Sequence, residues 1–274
     1  MPTRILPEKT LFDVLRDVWR AKYYMTFAGF VFVILGILFM SLAQDFYRAE
    51  MIIAPARPMG QGLAAVAHAG EGSIQVQRED FQSNAAFVRF ENIYDGVSVA
   101  SILMADKDVL SALAFDRPFE FSKGRLSWDA QTLSEYVSRR VVLEPVSGTS
   151  LRRLVYLHPD RKFAAHMIGQ VHRISDEIIR ARLLREANGR IDYLHVGLSN
   201  VTNPEHRKSL TVLLMEQERL KMMVSLDEPY AASIIEPPSV SSRPRWPDPY
   251  LVYPVFVFIG LFLGFVIYGL RHHD

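Results

Sequence analysis

The sequence contains no cysteine, which excludes disulfides, thiol nucleophiles and thiolate zinc sites and leaves the redox compartment open. Nor is there a surplus of charge of either sign. Its 31 basic side chains face 30 acidic ones, whereas a general nucleic-acid binder concentrates positive charge on one surface. A phosphate-cradling loop is missing as well: Gly60 and Gly62 form a Gly-x-Gly pair without the third glycine, the lysine or the preceding buried strand. His158, His166, His172, His195 and His206 show no HExxH spacing, and His166 and His172, six apart, fall on different helix faces. They read as surface or capping groups. The acidic groups Glu79-Asp80, Asp106 with Asp108, and Asp227-Glu228 lie in polar runs, where no apolar pocket raises a carboxyl pKa for acid–base work. No enzyme is expected, with no catalytic residue, cofactor or metal.

What is present is apolar length. From Tyr23 to Gln44 no charged residue interrupts the run, and Lys22 and Asp45 bracket it. At ~1.5 Å per residue such a run covers about 30 Å, the thickness of a hydrocarbon layer. Pro249 to Leu270 repeats the pattern between Asp248 and Arg271. Pro254 near its entry turn is tolerable in a membrane helix, and Trp246, Tyr250, Tyr253, Tyr23 and Tyr24 stand where aromatic rings settle at an interface. A cleaved signal peptide ending at Ser41-Leu42-Ala43 is the rival for the first run, but its long polar leader and its apolar length fit an uncleaved anchor better.

The expected division is therefore a leader over 1–22, transmembrane helices over 23–44 and 249–270, a central domain over 45–248 and a tail over 271–274. Arg4, Lys9, Arg16, Arg20, Lys22 and Arg271 outweigh Arg48, Arg57, Arg243 and Arg245, so both termini are expected in the cytoplasm and the central domain outside it. The inverse orientation, with both ends outside, is the alternative.

Within the central domain, Phe46–Ala54 reads as a strand and residues 55–73, rich in glycine and alanine, as a mobile loop. Apolar spacing predicts two helices between Asp80 and Phe115 and a short one over Trp128–Val137, capped by Ser127 or Asp129. Strands Arg139–Pro145 and Ser150–Leu157 flank a turn at Ser147-Gly148-Thr149. After His158-Pro159-Asp160, Phe163, Met167, Val171, Ile174 and Ile178 mark one long helix to about Ser199. Asn203-Pro204-Glu205 opens another, through Val224. A last strand, Ala232–Ile235, leads into a proline-dotted run. The fold class is α+β: two terminal transmembrane helices flanking a periplasmic domain with a small membrane-proximal sheet and long projecting helices.

Several passages carry a family likeness: the leader LFDVLRDVWRAKYY, the emergent strand YRAEMIIAP, the helix start HPDRKFAAHMIGQVHRISDEII, the helix RKSLTVLLMEQERLKMM, and YAASIIEPP before the second span. In that order they resemble the Wzz-type chain length determinants, the polysaccharide co-polymerases of bacterial envelopes, over nearly the whole chain. The resemblance implies a non-catalytic homo-oligomer in the inner membrane. Such an assembly stands beside an integral-membrane polysaccharide polymerase or exporter, touches the nascent glycan, and regulates the length or assembly of a surface polysaccharide such as O-antigen, capsule or exopolysaccharide. The loop after Pro55 and the short stretch around Asn203 depart from the longer-stalked members. No P-loop or tyrosine cluster follows Leu270, so a kinase-fused type is not expected, while a separate cytoplasmic kinase stays open as a partner. The alternatives are an export adaptor coupling a transporter to periplasmic parts, and a membrane-anchored periplasmic sensor.

Three groups of residues are candidates for function. Pro237, Pro238, Pro244, Pro247 and Pro249 stiffen the approach to the second span. Gly260 and Gly264, with Pro254 on the same span, offer a small-xxx-small face for helix packing. Arg173, Arg180, Arg182 and Arg185, with Arg190 nearby, are suited to a subunit contact or an anionic glycan.

Overall fold

The computed structural model describes residues 19–56, 84–119 and 127–271. Most of the leader, the Gly60 and Gly62 loop and Glu79-Asp80 lie outside the described residues. In chain order the elements are α1 (Lys22–Leu42), β1 (Tyr47–Pro55), α2 (84–93), α3 (Val97–Leu103), α4 (Lys107–Leu113), α5 (Ala130–Arg140), β2 (Val141–Pro145), β3 (Arg152–His158), α6 (Arg161–Asn200), α7 (Pro204–Ser225), β4 (Ala232–Val240) and α8 (Pro249–Arg271). They divide into two compact units, one of residues 19–45, 117–119 and 244–271, the other of 46–56, 84–116 and 127–243.

In the first unit α1 and α8 are each long and apolar enough to cross a membrane, with a mean hydropathy of 2.4. They pack antiparallel, and glycine sets how closely. A Cβ on Gly260 would stand 2.8 Å from the Phe32 Cβ and 2.9 Å from the Gly29 Cα, and one on Gly264 2.7 Å from the Met25 Cα. No larger residue fits at either position without parting the helices. Pro254 lies inside α8, and Asp248 caps the helix by accepting the Tyr250 N–H at 2.9 Å.

The second unit is built on an antiparallel sheet of order β2-β3-β1-β4. Alternation along β1 buries Ala49, Met51 and Ile53, which share a face with Leu154 and Tyr156 through the register Met51↔Leu154 and Ala49↔Tyr156. The opposite face carries charge: Arg48 bridges Glu144 at 3.1 Å and Glu50 at 3.4 Å, and Arg153 approaches Glu50 at 3.8 Å. One face is core and the other wet, as antiparallel sheets allow. The first half of α6 lies on the apolar face, with Phe163, Met167, Ile168, Val171 and Ile174 packed among residues of β1, β3 and α2 to α5.

Three expectations need correction. The apolar spacing between Asp80 and Phe115 supports three described helices instead of two, because Gly96 and Asp106 each start a new one in extended backbone. The last strand runs on to Val240 instead of ending at Ile235. Pro237 and Pro238 therefore sit within it, at a register shift between Ile52↔Glu236 and Glu50↔Ser239. A bulge on an edge strand is where residues without an N–H do least harm. Thirdly, His172 is buried instead of lying at the surface, whereas His158, buried as well, takes a backbone N–H at the start of α6 as a capping group. The turn after β2 does hold Gly148 at φ +75, a backbone that favours glycine.

Candidate functional site

The 40 residues of α6 extend for about 60 Å. Asp160 starts the helix by accepting the Lys162 N–H at 2.8 Å, and the buried His158 supports that cap: its Nδ1 accepts the Asp160 N–H at 3.0 Å. The ring must then carry its proton on Nε2, which donates to the Ala112 carbonyl at 3.2 Å. About three turns on, the His172 Nε2 lies 2.7 Å from the Ala232 carbonyl, and Asp176 accepts the N–H groups of Tyr230 and Ala231 at 2.9 and 2.7 Å. These two side chains, four residues apart, clamp the segment that enters β4. Burial lowers the pKa of both histidines, which keeps them neutral.

A second polar knot ties α5 to β3. Asp116, its side chain 3% exposed, takes the Arg140 guanidinium at 2.5 Å and the Tyr136 hydroxyl at 2.6 Å. With its proton spent on Asp116, the Tyr136 hydroxyl accepts from Tyr156 at 2.7 Å. Burial pushes both phenols up, so they stay protonated and the donor chain is fixed.

Beyond Leu183 the helix leaves the core and, among the described residues, packs mainly on α7. Asn203 and Pro204 open α7, with the Glu205 N–H donating to Asn203 at 2.9 Å. The returning helix buries only Val224. Tyr193 is 78% exposed, Val196 62% and Met222 64%; Val212, Leu213 and Met215 are exposed too. A hairpin with so many large apolar side chains in water asks for a partner surface.

The four arginines have different fates. Arg173 pairs with Glu177 at 2.7 Å and Arg182 with Glu186 at 3.0 Å, both within one helix face. Arg180 donates to the carbonyls of Val224, at 3.0 Å, and Leu226, closing the C-terminal end of α7. Arg185 alone of the four makes neither a hydrogen bond nor an ion pair among the described residues. It lines an open groove of about 490 Å³ with Gly189, Arg190, Tyr193, Leu194, Leu213 and Gln217. The Gln217 Oε1 is buried there without a hydrogen-bond partner. Sequence reasoning missed Gly189, Tyr193 and Gln217, though 185, 189 and 193 recur every fourth residue on α6. Among the described residues no cluster of three or more His, Asp or Glu side chains is placed to hold a metal.

No family model and no curated protein matches the chain. Among solved structures it is similar to a full-length bacterial polysaccharide co-polymerase, at 14% identity and a TM-score of 0.45, over 96% of this chain and 98% of that one. A fragment of WzzB, a polysaccharide co-polymerase from Salmonella Typhimurium, is similar at 13% identity and a TM-score of 0.44, over 74% of this chain and all of that one. A mutant of the Shigella flexneri lipopolysaccharide O-antigen chain-length regulator is similar at 12% identity and a TM-score of 0.28, over 73% and 100%.

Proposed function

We propose that this chain is a non-catalytic, homo-oligomeric inner-membrane scaffold that regulates the length or assembly of a surface polysaccharide. The observation that carries the reading is the α6–α7 hairpin. Its base is anchored in the core, and its far half presents Tyr193, Val196, Val212, Met215 and Met222 to solvent with no partner among the described residues. A second copy of the chain covers such a surface, and α1 and α8 hold the copies in one bilayer beside an integral-membrane polymerase or exporter. In this reading both termini are cytoplasmic and the central domain is periplasmic. Arg185 and Arg190 line a groove that suits a subunit contact or a stretch of nascent anionic glycan.

A sensor would enclose its ligand in an apolar pocket. The groove at Arg185 and Tyr193 is instead open along the hairpin, which supports the scaffold. Deleting the gene and resolving the surface polysaccharide by gel electrophoresis tests the proposal. A shifted size distribution supports length regulation, complete loss favours the export adaptor, and an unchanged pattern removes both.

A further inference from the structure

Residues 117–119 belong to the same compact unit as the two apolar helices, although they lie far from both in sequence. Ala43, the residue directly after α1, forms an antiparallel bridge with Phe119, and the Gln44 N–H donates to the Pro118 carbonyl at 3.0 Å. One turn back in α1, the Phe39 ring meets the Phe119 ring edge-on at 5.7 Å. Phe39 also touches Trp246 at 6.3 Å and Phe256 at 5.8 Å, so four aromatic rings from three separate parts of the chain gather at this end of α1. The 21 residues of α1 extend for about the thickness of a hydrocarbon layer, which puts Ala43 at its edge. Whatever pairs with Ala43 lies at that edge too.

We propose that residues 117–119 form a third membrane-contact element, with Phe119 seated at the headgroup–acyl boundary of the leaflet in which α1 ends. The partner is the lipid surface itself, and the proposal rests on α1 and α8 being membrane spans. Its chemistry suits the place. Aromatic rings partition to this boundary, and Pro118 brings no N–H that would need a partner where water is scarce. The bridge and the Gln44 hydrogen bond satisfy backbone groups at the point where the chain leaves the helix.

The absence of cysteine makes the test direct, since one introduced cysteine carries a nitroxide without background. The full chain is reconstituted in vesicles of phosphatidylethanolamine and phosphatidylglycerol, and collision with oxygen is compared with collision with a polar nickel chelate. Labels at Pro118→Cys, at Phe262→Cys in the middle of α8 and at Glu135→Cys on α5 are read side by side. The oxygen-to-nickel ratio at Pro118→Cys is expected several-fold above that at Glu135→Cys and below that at Phe262→Cys. Adding Phe119→Ser is expected to drop it to the Glu135→Cys value. If Pro118→Cys reads as water while Phe262→Cys reads as lipid, the third contact is overturned. If the ratio survives Phe119→Ser, the role of the ring is overturned. If Phe262→Cys itself reads as water, the reading of the spans fails first.

Discussion

The two halves of α6 show how one helix serves two purposes. Of its thirteen buried residues, ten lie before Arg180 and only Ala187, Ile191 and Leu194 lie beyond it. One side of the first half packs on the sheet and on α2 to α5, and there even polar residues are committed inward, His172 to a carbonyl and Asp176 to two N–H groups; its other side carries the exposed Arg173–Glu177 pair. The second half packs mainly on α7 and turns Tyr193 and Val196 to solvent. A helix face packed on the core contributes to stability; an apolar face turned to water contributes surface. That division places the fold of the domain in the base of α6 and, in the proposed reading, its contacts in the far end.

Substitutions at the two ends are therefore expected to separate folding from assembly. The largest effect on stability is expected from Ile168→Ala, which empties a fully buried site and costs about 2–5 kcal/mol, read as a lower denaturant midpoint. Next comes Asp176→Ala. It leaves the Tyr230 and Ala231 N–H groups unmet and costs about 1–3 kcal/mol, with faster hydrogen exchange at those two amides as its signature.

Acidification is expected to act on the same half. His158 and His172 have folded pKa values below the ordinary histidine value of about 6.5, because burial disfavours the charged ring. Below about 6.5 the unfolded chain binds protons that the folded chain refuses, so stability rises with pH in that range. The contribution is intact above about pH 6.5 and is lost as pH falls, and His172→Gln is expected to flatten the slope in a pH series of thermal unfolding curves. The smallest effect on stability is expected at Tyr193→Ala, within about 0.5 kcal/mol, since the ring is exposed. The same variant is expected to lower the oligomer mass in detergent by light scattering. A Tyr193→Ala protein that unfolds like Ile168→Ala, or keeps full oligomer mass, would break the comparison.

Much of this architecture was legible from local pattern. The two uncharged runs, the helix start after Asp160, the cap at Asn203 and the long period of α6 are statements about neighbours in sequence, and α6 and α7 begin where those signals place them. The arginines were legible only as a set. Arg173, Arg180, Arg182 and Arg185 look alike in sequence, yet one closes the end of α7, two pair along their own helix and one lines the groove. A guanidinium is flexible enough to serve any of these, and which carbonyl or carboxylate lies within reach depends on how the chain returns.

By itself, then, the sequence determined what repeats locally: apolar length at both ends, helix starts, and the alternation of β1. Only the tertiary structure decided which polar groups are buried, that a proline pair sits in an edge-strand bulge, and that Phe119 lies beside the end of α1. The physical reason is range. Periodicity and capping are set within a few residues, whereas burial and ring contacts are set by segments far apart in sequence, whose meeting no local spacing encodes.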